Sequence, residues 1–172
     1  MTPIKDNGAR SRTLEFFEHP EVPIVTPEQR EKILSILNRH NNMTLATLRP
    51  DGYPQATTVG YANDGTSIYF GCGANSQKAQ NIARDPRVSA AIDVDHANWN
   101  EIEGVSLGGT AERVTDPAEL EKAGALFFAK FPQLATFAGN DPFDMVLFRI
   151  TPSVISVLDY TKGFGHNELV TL

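Results

Sequence analysis

The run Tyr69-Phe70-Gly71-Cys72-Gly73-Ala74-Asn75-Ser76-Gln77-Lys78 carries the densest chemistry in the chain: strand-type residues, a turn of small residues, then a helix start with a hydroxyl and an ammonium. Such an arrangement suits an anion. Free N–H groups at a helix N-terminus, the Ser76 hydroxyl and Lys78 can converge on one phosphate, whose charge the helix dipole favours. The same residues also suit a plainer use, with Ser76 capping the helix and Lys78 solvated, and spacing alone leaves both readings open. Other chemistries fit less well. Gly71-Cys72-Gly73 lacks the third glycine and the repeated βαβ setting of a dinucleotide fingerprint. Asp93, Asp95 and His96 lie close in sequence but without a fourth partner, so no metal is expected. There is no Gly-x-Ser-x-Gly elbow for a serine hydrolase. Cys72, the single cysteine, has no motif neighbour that marks a nucleophile and reads as a small packed residue.

Composition sets the frame for that turn. A chain of 172 residues with 41% apolar and 21% charged residues is long enough to bury a core without disulfides or structural metals. One cysteine permits no intrachain disulfide and fits a reducing compartment. The net charge of −6 and pI near 5.2 leave no footprint for a nucleic-acid backbone. Met1 to Arg12 is polar and no later apolar run approaches transmembrane length, so the expectation is a cytoplasmic protein without a membrane partner.

The elements that must position the turn follow from periodicity. Residues 1–25, with Pro3, Pro20 and Pro23 and no sustained period, read as an extended arm, and residues 26–172 as one domain. Thr26-Pro27-Glu28-Gln29 is an N-cap, a first-turn proline and a capping-box partner. Ile33, Ile36 and Leu37 continue that helix, which ends near Asn41-Asn42, with His40 at its boundary. Met43 to Leu48 and Gln55 to Tyr61 read as strands around Arg49-Pro50-Asp51-Gly52, and a turn at Asn63-Asp64-Gly65 leads to a third strand from Thr66 to Gly71. The expectation is a three-stranded meander. Asn75 or Ser76 caps a helix stopped by Asp85-Pro86, and a strand runs from Val88 to Val94. Val105 to Val114 is a longer strand with a bulge at Gly108-Gly109, followed by a helix from Asp116-Pro117 presenting Leu120, Ala123, Leu126, Phe127 and Phe131. Met145 to Leu158 is β-rich with a bend or edge at Pro152, and a segment rich in glycine closes the chain. The sum is a mainly β fold with helices packed outside an antiparallel barrel, not a parallel sheet.

Taken in order, Asp51-Gly52-Tyr53-Pro54, Ile68-Tyr69-Phe70, Ser76-Gln77-Lys78 and Arg84-Asp85-Pro86-Arg87-Val88 resemble the FMN-binding split-barrel family related to pyridoxamine 5′-phosphate oxidase. The resemblance is strong over roughly Asn42 to Val114 and looser beyond. It implies a six-stranded antiparallel split β-barrel and a homodimer whose FMN sites lie at the subunit interface. It implies that Ser76, Gln77 and Lys78 hold the phosphate and that Thr57, Thr58 and Val59 line the ring and ribityl chain, bordered by Gly71 and Cys72. Backbone groups on such a strand can bond the polar edge of the ring, and small side chains allow close approach.

The chain also departs from that pattern. Pyridoxamine phosphate oxidases carry an arginine on the flavin-contacting strand and an Arg/His motif close to a C-terminal tryptophan. Here Thr57 stands near the arginine position, the only tryptophan is Trp99, and the chain ends Lys162-Gly163-Phe164-Gly165-His166-Asn167-Glu168-Leu169. Vitamin B6 oxidation is therefore not expected. The ending resembles that of a less characterised branch, and the expectation drawn from that resemblance is that it reaches the flavin site across the dimer. Phe164 would cover the ring, Lys162 meet a phosphate or the N1 edge, and His166 donate a hydrogen bond or proton; the alternative is a surface tail. Trp99 either stacks at the pocket mouth or anchors its loop. The function expected is an FMN-dependent oxidoreductase acting on a small-molecule substrate or electron donor. The alternatives are a non-catalytic flavin sensor or carrier, or a member binding F420 or haem, haem requiring His166 or His96 as axial ligand.

Overall fold

Thr26 begins the first helix in the computed structural model, which describes residues 22–136 and 144–172. Its side chain accepts from Gln29 N–H while the Gln29 side chain accepts from Thr26 N–H, so the capping box holds α1 (Pro27–Arg39), with His40 as C-cap. Ile33, Ile36 and Leu37 enter the core from this helix. Ser76 caps α2 (Gln77–Arg84), and Asp116 caps α3 (Pro117–Lys130) with Pro117 in the first turn. The three helices expected from the proline and capping signals are therefore present, with Asp85 ending α2.

The strands are β1 (Asn42–Leu48), β2 (Pro54–Gly60), β3 (Ala62–Asp64), β4 (Ser67–Gly73), β5 (Arg87–Ile92), β6 (Glu103–Arg113), β7 (Met145–Asp159) and β8 (Asn167–Thr171). They form one antiparallel sheet in the order β2-β1-β5-β6-β7-β4-β3, with β8 also on β7. The sheet curls around a core that includes Leu45, Phe70, Ile92, Leu107, Phe148 and Ile155, and stays split between its edges β2 and β3. Six of these strands are those the sequence predicts; β3 and β8 are additions. The mainly β barrel with helices outside stands.

Two local readings change. The meander does not form: β2 pairs with β1, whereas β4 pairs with β3 and β7, so the second and third strands of the expected meander lie at opposite ends of the sheet order. Tyr61 makes the break. It is fully buried between β2 and β3, its N–H donates to the Asn41 carbonyl at 3.1 Å, and its hydroxyl donates to the Leu37 carbonyl at 2.8 Å. The Lys130 ammonium lies 3.8 Å over its ring, and burial pushes the Lys130 pKa down to about 8. The chain end is likewise not a loose tail. After the turn through Gly163 and Gly165, both at positive φ, β8 pairs with Val154–Leu158 of β7, and Val25 N–H donates to the Thr171 carbonyl at 2.9 Å. Residues 22–25 of the expected arm thus run along β8, while 1–21 lie outside the described residues.

The Gly108-Gly109 bulge is present: the β6–β7 register shifts there, and Pro152 of β7 faces Gly109. On α3 only Ala123 is fully covered; Leu126 and Phe127 join it over Tyr69, Val114 and Leu147, and Leu120 is largely exposed.

Candidate functional site

Ser76 does what a cap does: its Oγ accepts from Ala79 N–H at 3.3 Å, and its own N–H donates to the Gly73 carbonyl at 2.9 Å. One accepting interaction leaves the hydroxyl proton and a second lone pair available, so capping does not consume the residue. Lys78 is half-buried and enters no ion pair among the described residues, as is also true of Arg30, Arg84, Arg113 and Lys130. Gln77 is exposed at the first helical position, and its Nε2 donates to Asn81 Oδ1 at 2.9 Å.

Asn81 ties this turn to the sheet. Fully buried, it donates through Nδ2 to Thr47 Oγ1 on β1 at 3.0 Å and to Gln55 Oε1 on β2 at 3.3 Å. The Arg84 guanidinium reaches the Leu48 carbonyl from the other end of α2. Between α2 and the β1–β2 turn opens a cleft of about 480 Å³, lined by Arg49, Pro50, Asp51, Gln55, Gln77 and Gln80. Arg49 is held to Asp51 at 2.6 Å. Sequence periodicity singles out neither Asn81 nor this cleft; the one signal was the i, i+4 spacing of Gln77 and Asn81 on a short helix.

β2 follows directly. Thr57 and Val59 are half-buried on its inner side, facing Leu45 and Met43 in register, while Thr58 is exposed on the outer side opposite Thr44. β2 has no strand neighbour but β1 among the described residues, so its other edge carries unpaired backbone N–H and C=O groups. Gly71 and Cys72 lie across the split on β4; Cys72 points into the core and Gly71 sits on the opposite side, against Met145. The structure therefore brings Ser76, Gln77 and Lys78 beside the start of β2.

Lys162, Phe164 and His166 lie elsewhere. β4 and α2 adjoin the Met145 end of β7, whereas these residues follow its Asp159 end. There Glu168 gathers three donors on its carboxylate: Gln29 Nε2 at 2.6 Å, His166 Nε2 at 2.8 Å and Lys162 Nζ at 3.0 Å. Together they push its pKa down to about 2, with the Gln29 bond the largest cause and His166 and Lys162 next. Phe164 is 75% exposed and stacks on Trp99 with centroids 6.3 Å apart, with Tyr160 tilted behind it at 5.2 Å. Trp99, 66% exposed, thus packs against the C-terminal turn and does not line the cleft beside α2. Beneath this corner Lys32 bridges Glu103 at 2.6 Å and Asp159 at 3.1 Å. The His96 Nε2 is buried without a hydrogen-bond partner, and no group of three or more metal-ligating side chains occurs among the described residues.

The outer side of the sheet has its own character. In register across six strands run Thr58, Thr44, Ala91, Ser106, Ser156 and Leu169, and the neighbouring row contains Ala56, Ala46, Ser89 and Gly108. Most of these are exposed among the described residues.

A curled antiparallel sheet split at one edge, with helices outside and a helix-borne polar turn at the split, defines the split β-barrel class. Residues 29–159 match the model of the pyridoxamine 5′-phosphate oxidase family, and the chain belongs to that family. General stress protein 26 of Bacillus subtilis (strain 168) is 25% identical over 130 residues, 76% of this chain and 88% of that protein. Among solved structures, a heme binding protein from Mycobacterium smegmatis matches with TM-score 0.71 at 27% identity over 86% of this chain; the chain spans 60% of that protein's length. A conserved hypothetical protein from Mycobacterium tuberculosis matches with TM-score 0.68 at 31% identity, covering 83% of this chain and 91% of that one.

Proposed function

We propose that this chain binds flavin mononucleotide and acts, as a homodimer, as an FMN-dependent oxidoreductase on a small-molecule substrate or electron donor. The observation that carries the reading is a capped helix start bearing Lys78, on α2, beside the open edge of β2, with Gln77 of that helix and Gln55 of that strand lining the polar cleft between them. A phosphomonoester needs donors and a positive charge, and Ser76, Lys78 and the first N–H groups of α2 are such a set. A flat heterocycle with a polar rim needs backbone donors and acceptors beside small side chains, which the edge of β2 offers at Thr57, Thr58 and Val59. The donor set fits the group. FMN, when bound, supplies hydride or electron transfer at its ring system.

Lys162, Phe164 and His166 belong to this reading as residues given to the flavin of the other subunit, since within one chain they stand at the far end of β7. The bare outer rows of alanine, serine, threonine and glycine support such a dimer, because small side chains allow two sheets to approach closely. Pyridoxamine phosphate is not the expected substrate, with Thr57 near the position where its oxidases carry arginine.

Haem is the alternative occupant suggested by the name of the Mycobacterium smegmatis relative. It draws less support here, because His166 Nε2 is engaged by Glu168 and His96 Nε2 is buried. F420 is a further outcome of the experiment below, and a flavin carrier without turnover is one in which bound FMN accelerates oxidation of no electron donor in a donor screen. Purified protein is saturated with FMN, its absorption spectrum is recorded, and the released chromophore is identified by mass. Lys78→Ala is expected to weaken FMN binding about tenfold or more, the usual scale for a hydrogen bond to a charged group. Unchanged affinity in that variant removes Lys78 from the site.

A further inference from the structure

We infer that Asn81 is the positioning residue of the anion cleft, setting which end of the Gln55 amide faces the bound phosphate. The inference rests on the flavin-phosphate reading above and extends it to a residue that never touches the ligand. Asn81 is fully buried, yet it carries a primary amide where an aliphatic side chain would cost no desolvation. Both of its N–H bonds and its carbonyl are used: Nδ2 donates to Thr47 Oγ1 and to Gln55 Oε1, and Oδ1 accepts from Gln77 Nε2. Two of the three partners, Gln55 and Gln77, line the cleft.

That pattern has a directional consequence. With Gln55 Oε1 accepting from Asn81, the Gln55 NH₂ is left to the cleft as a donor; with Gln77 Nε2 donating to Asn81, the Gln77 carbonyl is left over. An anion takes only donors, so in the proposed site the Gln55 NH₂ would add to the donors of Ser76 and Lys78, which flank Gln77 at the start of the same helix. Asn81 also fixes the first turn of α2 against the start of β2 through one side chain, so the phosphate donors and the ring-bearing strand hold one relative position. A site held this way needs little reorganisation on binding.

The test compares FMN with riboflavin, which lacks the phosphate, on the whole purified chain. Wild type is expected to prefer FMN, and Asn81→Leu to lower that preference at least tenfold while its riboflavin affinity stays within about twofold. Gln55→Ala should lower the preference similarly, and the double variant Asn81→Leu/Gln55→Ala should lose no more than the single ones, because both act through one donor. Additive losses, or an unchanged FMN-to-riboflavin ratio in Asn81→Leu, overturn the inference and leave the flavin reading standing. If Asn81→Leu fails to fold, Gln55→Ala at the cleft wall decides, and a full FMN preference there overturns it too. A wild-type chain that binds FMN no better than riboflavin removes the phosphate reading and this inference together.

Discussion

Glu168 is the acid that organises the C-terminal turn. Its folded pKa of about 2 lies below the ordinary 4.5, so its contribution to stability is complete above about pH 4.5 and is lost as pH falls toward 2. The difference in melting temperature between wild type and Glu168→Gln should therefore be constant near neutrality and close progressively below pH 4.5. A difference that persists unchanged at pH 2 would place the stabilisation elsewhere. The residue scale is also where sequence reading reaches furthest and then stops. Ser76 and Lys78 are legible because hydroxyl, cation and helix start have a local grammar. Glu168, Asn81 and Gln55 are not, because their meaning comes from partners 139, 34 and 26 residues away.

Among the elements, β6 and β7 bear the most specific local constraint. Gly109 lies at the bulge with the Thr151 carbonyl and Pro152 Cα pressed against it, the latter 2.9 Å from where a Cβ would be. Gly109→Ala should destabilise the fold by roughly 1–3 kcal/mol, the usual cost of overpacking, as measured by denaturant unfolding. A neutral result would mean the bulge relaxes freely. The bulge and all three helices were legible from glycine pairs, prolines and caps. Pairing was not. Alternation marks β2 and β4 as strands but says nothing of which strand each joins, and Tyr61, whose burial separates them, looks in sequence like one more strand residue. β8 escaped for a related reason: its residues, Asn167–Thr171, contain only Leu169 and Val170 as large apolar groups, and it exists because β7 offers it an edge.

For the whole molecule, the outer side of the curled sheet presents a continuous face of small, mostly exposed side chains among the described residues. Ala91 sits near its middle, between Thr44 and Ser106 in register. Under the proposed dimer, Ala91→Arg is expected to shift sedimentation to a monomer and weaken FMN binding in step, through loss of the C-terminal turn proposed to reach the other subunit's site; a variant that still sediments as a dimer would assign the interface to another face. No helix among the described residues is long and apolar enough to cross a membrane. The account as a whole is tested most directly by titrating FMN into the purified chain, with riboflavin run alongside, while following the flavin absorption bands. It predicts saturable binding of one FMN per chain, tighter than riboflavin. No binding, or equal affinity for the two, contradicts it.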